Sequence, residues 1–219
     1  MPRIPRKLTL VSTLLSALAL TCTGLASAQN ASPAAAPPSY PRVTSYFGPA
    51  DAANHAQHMP QPTPGGFYRM ALGPDGKGCQ RFQDFYQDSG ERQSSELTTC
   101  DPVDLTRWEL SGMQGLVLGY RPTGQLRSRQ TLDQGLPHGR DFYYDDRGQV
   151  RTSVTWQHGK VHGPFRFKSL DGQQRIEGVA QQDTLKQIRA WDHGRRLSRD
   201  QAIALYNQAR VSWFADMFR

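Results

Sequence analysis

Histidines and carboxylates crowd one stretch of this 219-residue chain in a pattern that invites a metal or acid–base site. His158 and His162 bracket a Gly-Lys-Val turn, and His138 stands 24 residues before His162 (162 − 138 = 24). Asp141, Asp145 and Asp146 follow His138 closely. Imidazole titrates near neutral pH and ligates metals readily, and positioned carboxylates serve as general acids and bases. Against that chemistry stands the regularity. A structural repeat returns the same histidine at each step, whereas an active site needs its constellation once. Aspartate is also a common turn residue, because its side chain bonds nearby backbone. The chain has no Gly-x-Ser-x-Gly elbow, no glycine-rich phosphate loop and no His-Glu-x-x-His pair. His55 and His58 have a spacing that a metal can use, but their Ala, Asn and Gln surroundings read as surface. The expectation is a non-enzymatic protein with no metal and no cofactor.

Arginine recurs in the same way. Arg127, Arg151 and Arg175 are 24 apart (151 − 127 = 24, 175 − 151 = 24), with Arg129, Arg166 and Lys168 close by. On one sheet face they form a ladder, a basic strip suited to an acidic protein surface, lipid headgroups or a cell-wall polymer. The bland alternative is a solvated face, and Asp133 and Glu177 dilute the strip. Nucleic acid is excluded as a partner. The formal charge is +7, but residues 1–28 hold three of the 26 Lys and Arg and none of the 19 acids, leaving 23 − 19 = +4. No basic helix or aromatic–basic RNA motif accompanies it.

The elements that must position these residues are read from the repeat itself. Units beginning at Gly124, Gly148 and Gly172 share a 24-residue step. Gly135 aligns with Gly159, and Gly115, Gly139 and Gly163 form a second series. In the middle unit Val150, Thr152, Val154 and Trp156 alternate with Arg151, Ser153, Thr155 and Gln157, the period of a strand with one buried face. His-Gly-Lys-Val-His-Gly turns the chain, and Phe165 and Phe167 alternate with Arg166 and Lys168 in a second strand. Asp-Gly at Asp171–Gly172 is a strong hairpin signal. Each unit is a two-strand hairpin, marginal alone and stable when several share an apolar face. The predicted fold is mainly β: an extended antiparallel meander of hairpins closed by a C-terminal helix.

Tyr-Tyr-Asp-Asp-Arg-Gly-Gln-Val, Thr-Trp-Gln-His-Gly-Lys-Val-His-Gly and Tyr-Arg-Pro-Thr-Gly-Gln-Leu resemble the MORN-variant repeat of bacterial envelope proteins, often labelled antitoxin-component-like. The resemblance covers roughly residues 82–196. It implies a protein-binding or scaffold module with an envelope protein as partner, acting as monomer or homodimer. The third unit departs from the pattern, with Asp183 and Gln187 in place of turn glycines, and is read as a terminal cap.

Elsewhere the segments are distinct. Residues 1–28 have the basic start, short apolar core and Ala-Ser-Ala site of a secretory signal cleaved near Ala28, so the expected location is periplasmic or secreted. Cys22 lies in a poor lipobox, which argues against a lipoprotein. Residues 29–64 are rich in Pro and Ala and read as a linker or arm, with Arg42–Phe47 an apolar island able to dock as a strand. Residues 65–114 hold two strands around a Pro-Asp-Gly-Lys-Gly turn. Cys79 and Cys100 are the two cysteines left after cleavage, and an even count in an exported chain argues for a disulfide. It closes a loop of about 22 residues, for roughly 3 kcal/mol of stabilisation. Residues 115–196 are the array. Residues 197–219 form a helix with a capping box at Ser198 and Gln201 and an apolar stripe of Ala202, Leu205, Tyr206, Ala209, Trp213 and Met217.

Overall fold

A computed structural model describes residues 39–50, 56–100, 105–108 and 112–217. The signal peptide, Cys22, His55 and Phe218 lie outside the described residues, as do the side chains of Trp213 and Met217. The architecture is mainly β, with two antiparallel sheets and a single C-terminal helix among the described residues.

The first sheet has five strands: β1 (Arg42–Phe47), β2 (His58–Met59), β3 (Phe67–Pro74), β4 (Gln80–Tyr86) and β5 (Leu97–Thr99), in the order β2-β1-β3-β4-β5. β3 alternates strictly, turning Phe67, Arg69 and Ala71 inward. Phe47 and Phe67 close on Trp108, with ring centroids 5.3 Å from it in each case. Two stretches of the expected linker, Arg42–Phe47 and His58–Met59, therefore belong to the sheet, and Phe47 is fully buried. The Cys79–Cys100 disulfide is formed, joining the residue before β4 to the residue after β5.

The second sheet is a meander. Its strands are β6 (Gly115–Tyr120), β7 (Leu126–Asp133), β8 (Leu136–Pro137), β9 (Gly139–Tyr144), β10 (Val150–Gln157), β11 (Lys160–Lys168), β12 (Gln174–Gln181), β13 (Thr184–Asp192) and β14 (Arg195–Arg196). The order is β14-β13-β12-β11-β10-β9-β7-β6, with β8 paired to β7. The sheets meet through bridges at Ser94–Gly119 and Thr99–Met113. On one face Tyr143, Val154, Phe165, Phe167, Ile176 and Ala190 form the core, and helix α1 (Arg199–Met217) lies on β12 and β13 above it. Ala202, Tyr206 and Ala209 are buried there, and the Tyr206 ring sits 5.0 Å from Phe165. Each such aromatic removed from water contributes about 1.5–3 kcal/mol. The capping box closes as the sequence predicts: the Gln201 N–H donates to Ser198 Oγ (3.3 Å) and the Ser198 N–H to Gln201 Oε1 (3.1 Å).

Four hairpins turn through two residues with positive φ on both, the type I′ pattern that matches strand twist. They are Gln134–Gly135, His158–Gly159, Gln182–Asp183 and His193–Gly194. All eight glycines assigned to turns have positive φ, but Gly115 and Gly139 open strands and Gly163 lies inside β11. The third hairpin keeps its two-residue turn although Asp183 stands in place of a glycine. Asp183 takes the left-handed conformation itself (φ 63°), which a short polar side chain tolerates. Its carboxylate accepts the Val161 N–H at 2.9 Å. Gln187 pairs with Val179 inside β13, where no glycine is needed, and the sheet continues into β14.

Candidate functional site

The arginine ladder does not form as the sequence predicts, and the cause is a pair of bulges. Tyr120 faces Leu126 while Gly119 faces Ser128, so Arg127 is an extra residue on β7. Tyr144 faces Val150 while Tyr143 faces Thr152, so Arg151 is likewise extra on β10. A bulge inserts a residue and breaks the two-residue alternation. Arg127 is only 9 % exposed, beside Tyr86, Arg121 and Tyr143, and burial pulls its guanidinium below the ordinary value. Arg151 reaches over Phe167 and donates from Nε to the Lys168 carbonyl at 3.0 Å. Val150, expected inside, is 45 % exposed. Only Arg175 keeps its place, in a regular row with Lys168 and Trp191.

A different basic row replaces it. Cross-strand pairing aligns Arg129, Phe142, Ser153, Arg166, Glu177 and Arg189 across β7, β9, β10, β11, β12 and β13. These residues lie on the face opposite Tyr143, Thr152, Phe167, Ile176 and Ala190, so they point away from the core and from α1. Six strands at about 4.8 Å give a row roughly 24 Å long. Arg129, Arg166 and Arg189 are exposed. Arg140 joins them on the same face and covers Ser153, its guanidinium 5.2 Å from the Phe142 ring centre. Glu177 is the acid within the row, 3.8 Å from Arg166 and 4.0 Å from Arg189. Arg175 stacks over Trp191 at 3.9 Å. A shallow groove of about 210 Å³ runs along Arg140, Ser153, Arg166, Glu177 and Arg189. Arg129, Arg166, Lys168 and Arg175 were legible as basic candidates. Arg140 and Arg189 were passed over, although each alternates with a residue that turns out buried, Asp141 and Ala190.

The histidines also sort differently. His138 and His158 come together across two hairpins, ring centroids 4.8 Å apart, with His158 Nδ1 3.8 Å from Asp133 Oδ2. One ligand atom from each of Asp133, His138 and His158 lies within 4.8 Å of the others. His162 is elsewhere, its Nδ1 3.2 Å from the Gln182 amide. Asp133 escaped the sequence reading because it counted only as a diluting charge. Its position directly before a two-residue turn was the available signal.

Of the three aspartates after His138, only Asp141 is fully buried, on β9 opposite Val154 of β10. Burial pushes its carboxyl up to about 6; the Thr131 N–H, which donates to Oδ1 at 3.1 Å, and the Gln130 and Trp156 side chains pull partly the other way. Tyr143 beside it is raised as well, by burial and then by the Asp141 charge. Asp145 caps its own turn by accepting the Arg147 and Gln149 N–H groups. Comparison with protein-family models, curated proteins and solved structures finds no match.

Proposed function

We propose that this chain is a non-enzymatic, exported binding module whose uncovered sheet face holds an acidic protein partner in the cell envelope. The observation that carries the reading is the cross-strand row from Arg129 to Arg189, a flat face rich in arginine and aromatic rings. Arginine and aromatic side chains are the types enriched in protein interfaces. A guanidinium seated on a ring is also partly ordered before binding, which lowers the entropy that docking must overcome. The resemblance to MORN-variant repeats supports the same reading, since it implies a scaffold. The Cys79–Cys100 disulfide fits an oxidising compartment, in keeping with export after cleavage near Ala28.

The test is in-place cross-linking of the mature protein in a periplasmic extract, read by mass spectrometry. One dominant protein partner is expected, lost in the Arg166→Glu/Arg189→Glu variant while its circular dichroism is unchanged. Capture of anionic lipid or cell-wall polymer instead, with steep salt dependence, overturns the protein-partner reading in favour of an anionic envelope ligand.

A further inference from the structure

The three side chains gathered at the β7–β8 and β10–β11 turns have a chemistry that the binding reading does not use. We propose that Asp133, His138 and His158 bind a divalent transition-metal ion of the Zn²⁺ class, leaving one coordination position open. This inference is independent of the basic face and of any partner it holds.

The backbone brings the three together. The Gly159 N–H donates to the Pro137 carbonyl at 2.9 Å and fastens the His158 turn against the segment leading to His138. The His138 N–H donates to the Thr131 carbonyl at 2.9 Å, and Asp133 pairs with Leu136 across the preceding turn. Two imidazoles and one carboxylate are a ligand set suited to Zn²⁺ and related ions, and three protein ligands plus an open position is a common arrangement. Bonds of about 2.0–2.2 Å place tetrahedral ligand atoms about 3.3–3.6 Å apart. The present separations, up to 4.8 Å, close by rotation of side chains that have room to move. Asp133 and His158 are 48 % and 64 % exposed. At 3.8 Å their contact is too long to be a hydrogen bond that the ion must break. His138 Nδ1 is inaccessible and has no hydrogen-bond partner among the described residues.

The neighbouring turn shows that this ligand set is not demanded by the backbone. Each position 24 residues further on (133 + 24, 138 + 24, 158 + 24) is Gln157, His162 and Gln182. The frame is alike, with the Asp183 N–H donating to the Val161 carbonyl at 3.0 Å. There, however, the Gln182 amide donates to Gln157 Oε1 at 3.1 Å and sits 3.2 Å from His162 Nδ1. That cluster satisfies itself with neutral amides. The first cluster has a carboxylate and a second imidazole in the same places and does not.

The experiment is a Zn²⁺ titration of the untagged, chelator-treated full mature chain, by calorimetry and by competition with a chromophoric chelator. One equivalent is expected with a Kd at or below roughly 1 μM, weakened at least ~10-fold by Asp133→Asn, His138→Gln or His158→Asn. Asparagine is chosen at 158 because it accepts the left-handed backbone there. His162→Gln should bind as the parent does. Absence of saturable binding overturns the proposal, as does full binding by His138→Gln or equal loss in His162→Gln. Ring resonances of the unmutated protein guard against variants that fail to fold. One equivalent of Zn²⁺ should shift His138 and His158 and leave His162 in place, and the reverse pattern refutes the site.

Discussion

Each sheet buries an aspartate, and the two handle it by opposite means. In the five-stranded sheet Asp84 meets Arg69 in a two-pronged pair, Nε to Oδ1 at 2.7 Å and Nη2 to Oδ2 at 2.8 Å. Arg69 also donates to the Arg107 carbonyl at 2.6 Å and lies over the rings of Phe47 and Phe82. Both partners are nearly inaccessible, at 2 % and 4 % exposure. In the nine-stranded sheet Asp141 has no cation bonded to it among the described residues, only neutral donors, and its proton affinity rises instead. The first sheet holds its charge by matching it. The second lets its carboxyl ionise only as the pH passes about 6. The difference shows that burial alone does not determine the state of an acid; the nearest opposite charge does.

The comparison can be broken most severely in the first sheet. Arg69→Met leaves Asp84 buried and unmatched, and should cost about 3–5 kcal/mol in chemical denaturation. An effect below about 1 kcal/mol would show that the pair is not what keeps Asp84 soluble in the core. Next comes the second sheet, with the opposite sign. Between the ordinary carboxylate value of 3.8 and about 6 the folded protein binds more protons at Asp141 than the unfolded chain does. Stability from this group is therefore present below about pH 4 and falls as pH rises through 6. Asp141→Asn should flatten that decline and raise stability at pH 7 by about 1–3 kcal/mol, measured by denaturant titration from pH 4 to 8. A destabilised Asn variant would mean that Asp141 is stabilised as the anion, and an unchanged pH profile would mean that its proton affinity is the same in the folded and unfolded chain. The smallest effect sharpens the local cause. Among the described residues Trp156 Nε1 and Asp141 Oδ2 each lack a partner at hydrogen-bond distance, yet the indole favours the charged form. Trp156→Phe should move the Asp141 titration to slightly higher pH, read by carboxyl carbon NMR.

Much of the framework was legible because it depends on neighbours in sequence. The alternation of Phe165 and Phe167 with Arg166 and Lys168, the β1 island at Arg42–Phe47, the capping box and the cysteine pair all follow from short-range rules. What escaped depends on the partner strand. Arg127 and Arg151 carry the right parity on paper, and only the strand opposite shows that each is one residue too many. The inward arginine on β3 shares the parity of Phe67 and Ala71, but its acceptability required Asp84 on β4. Asp133 and His158 are 25 residues apart (158 − 133 = 25), and their meeting depends on which turn lies against which hairpin.

The outermost strands have a consequence for the molecule in company. The nine-stranded sheet ends at β14, two residues long, both arginine and both exposed. The five-stranded sheet ends at β2, also two residues, and at β5, three. A long bare strand is a template on which another chain can add itself. At β14 an incoming copy meets two positive charges, but β14 pairs with β13 only at Trp191 and Asp192, so most of the nine-residue β13 keeps an outer edge that no other described strand pairs. An incoming strand that added to this meander would therefore dock along β13, beside Arg195 and Arg196.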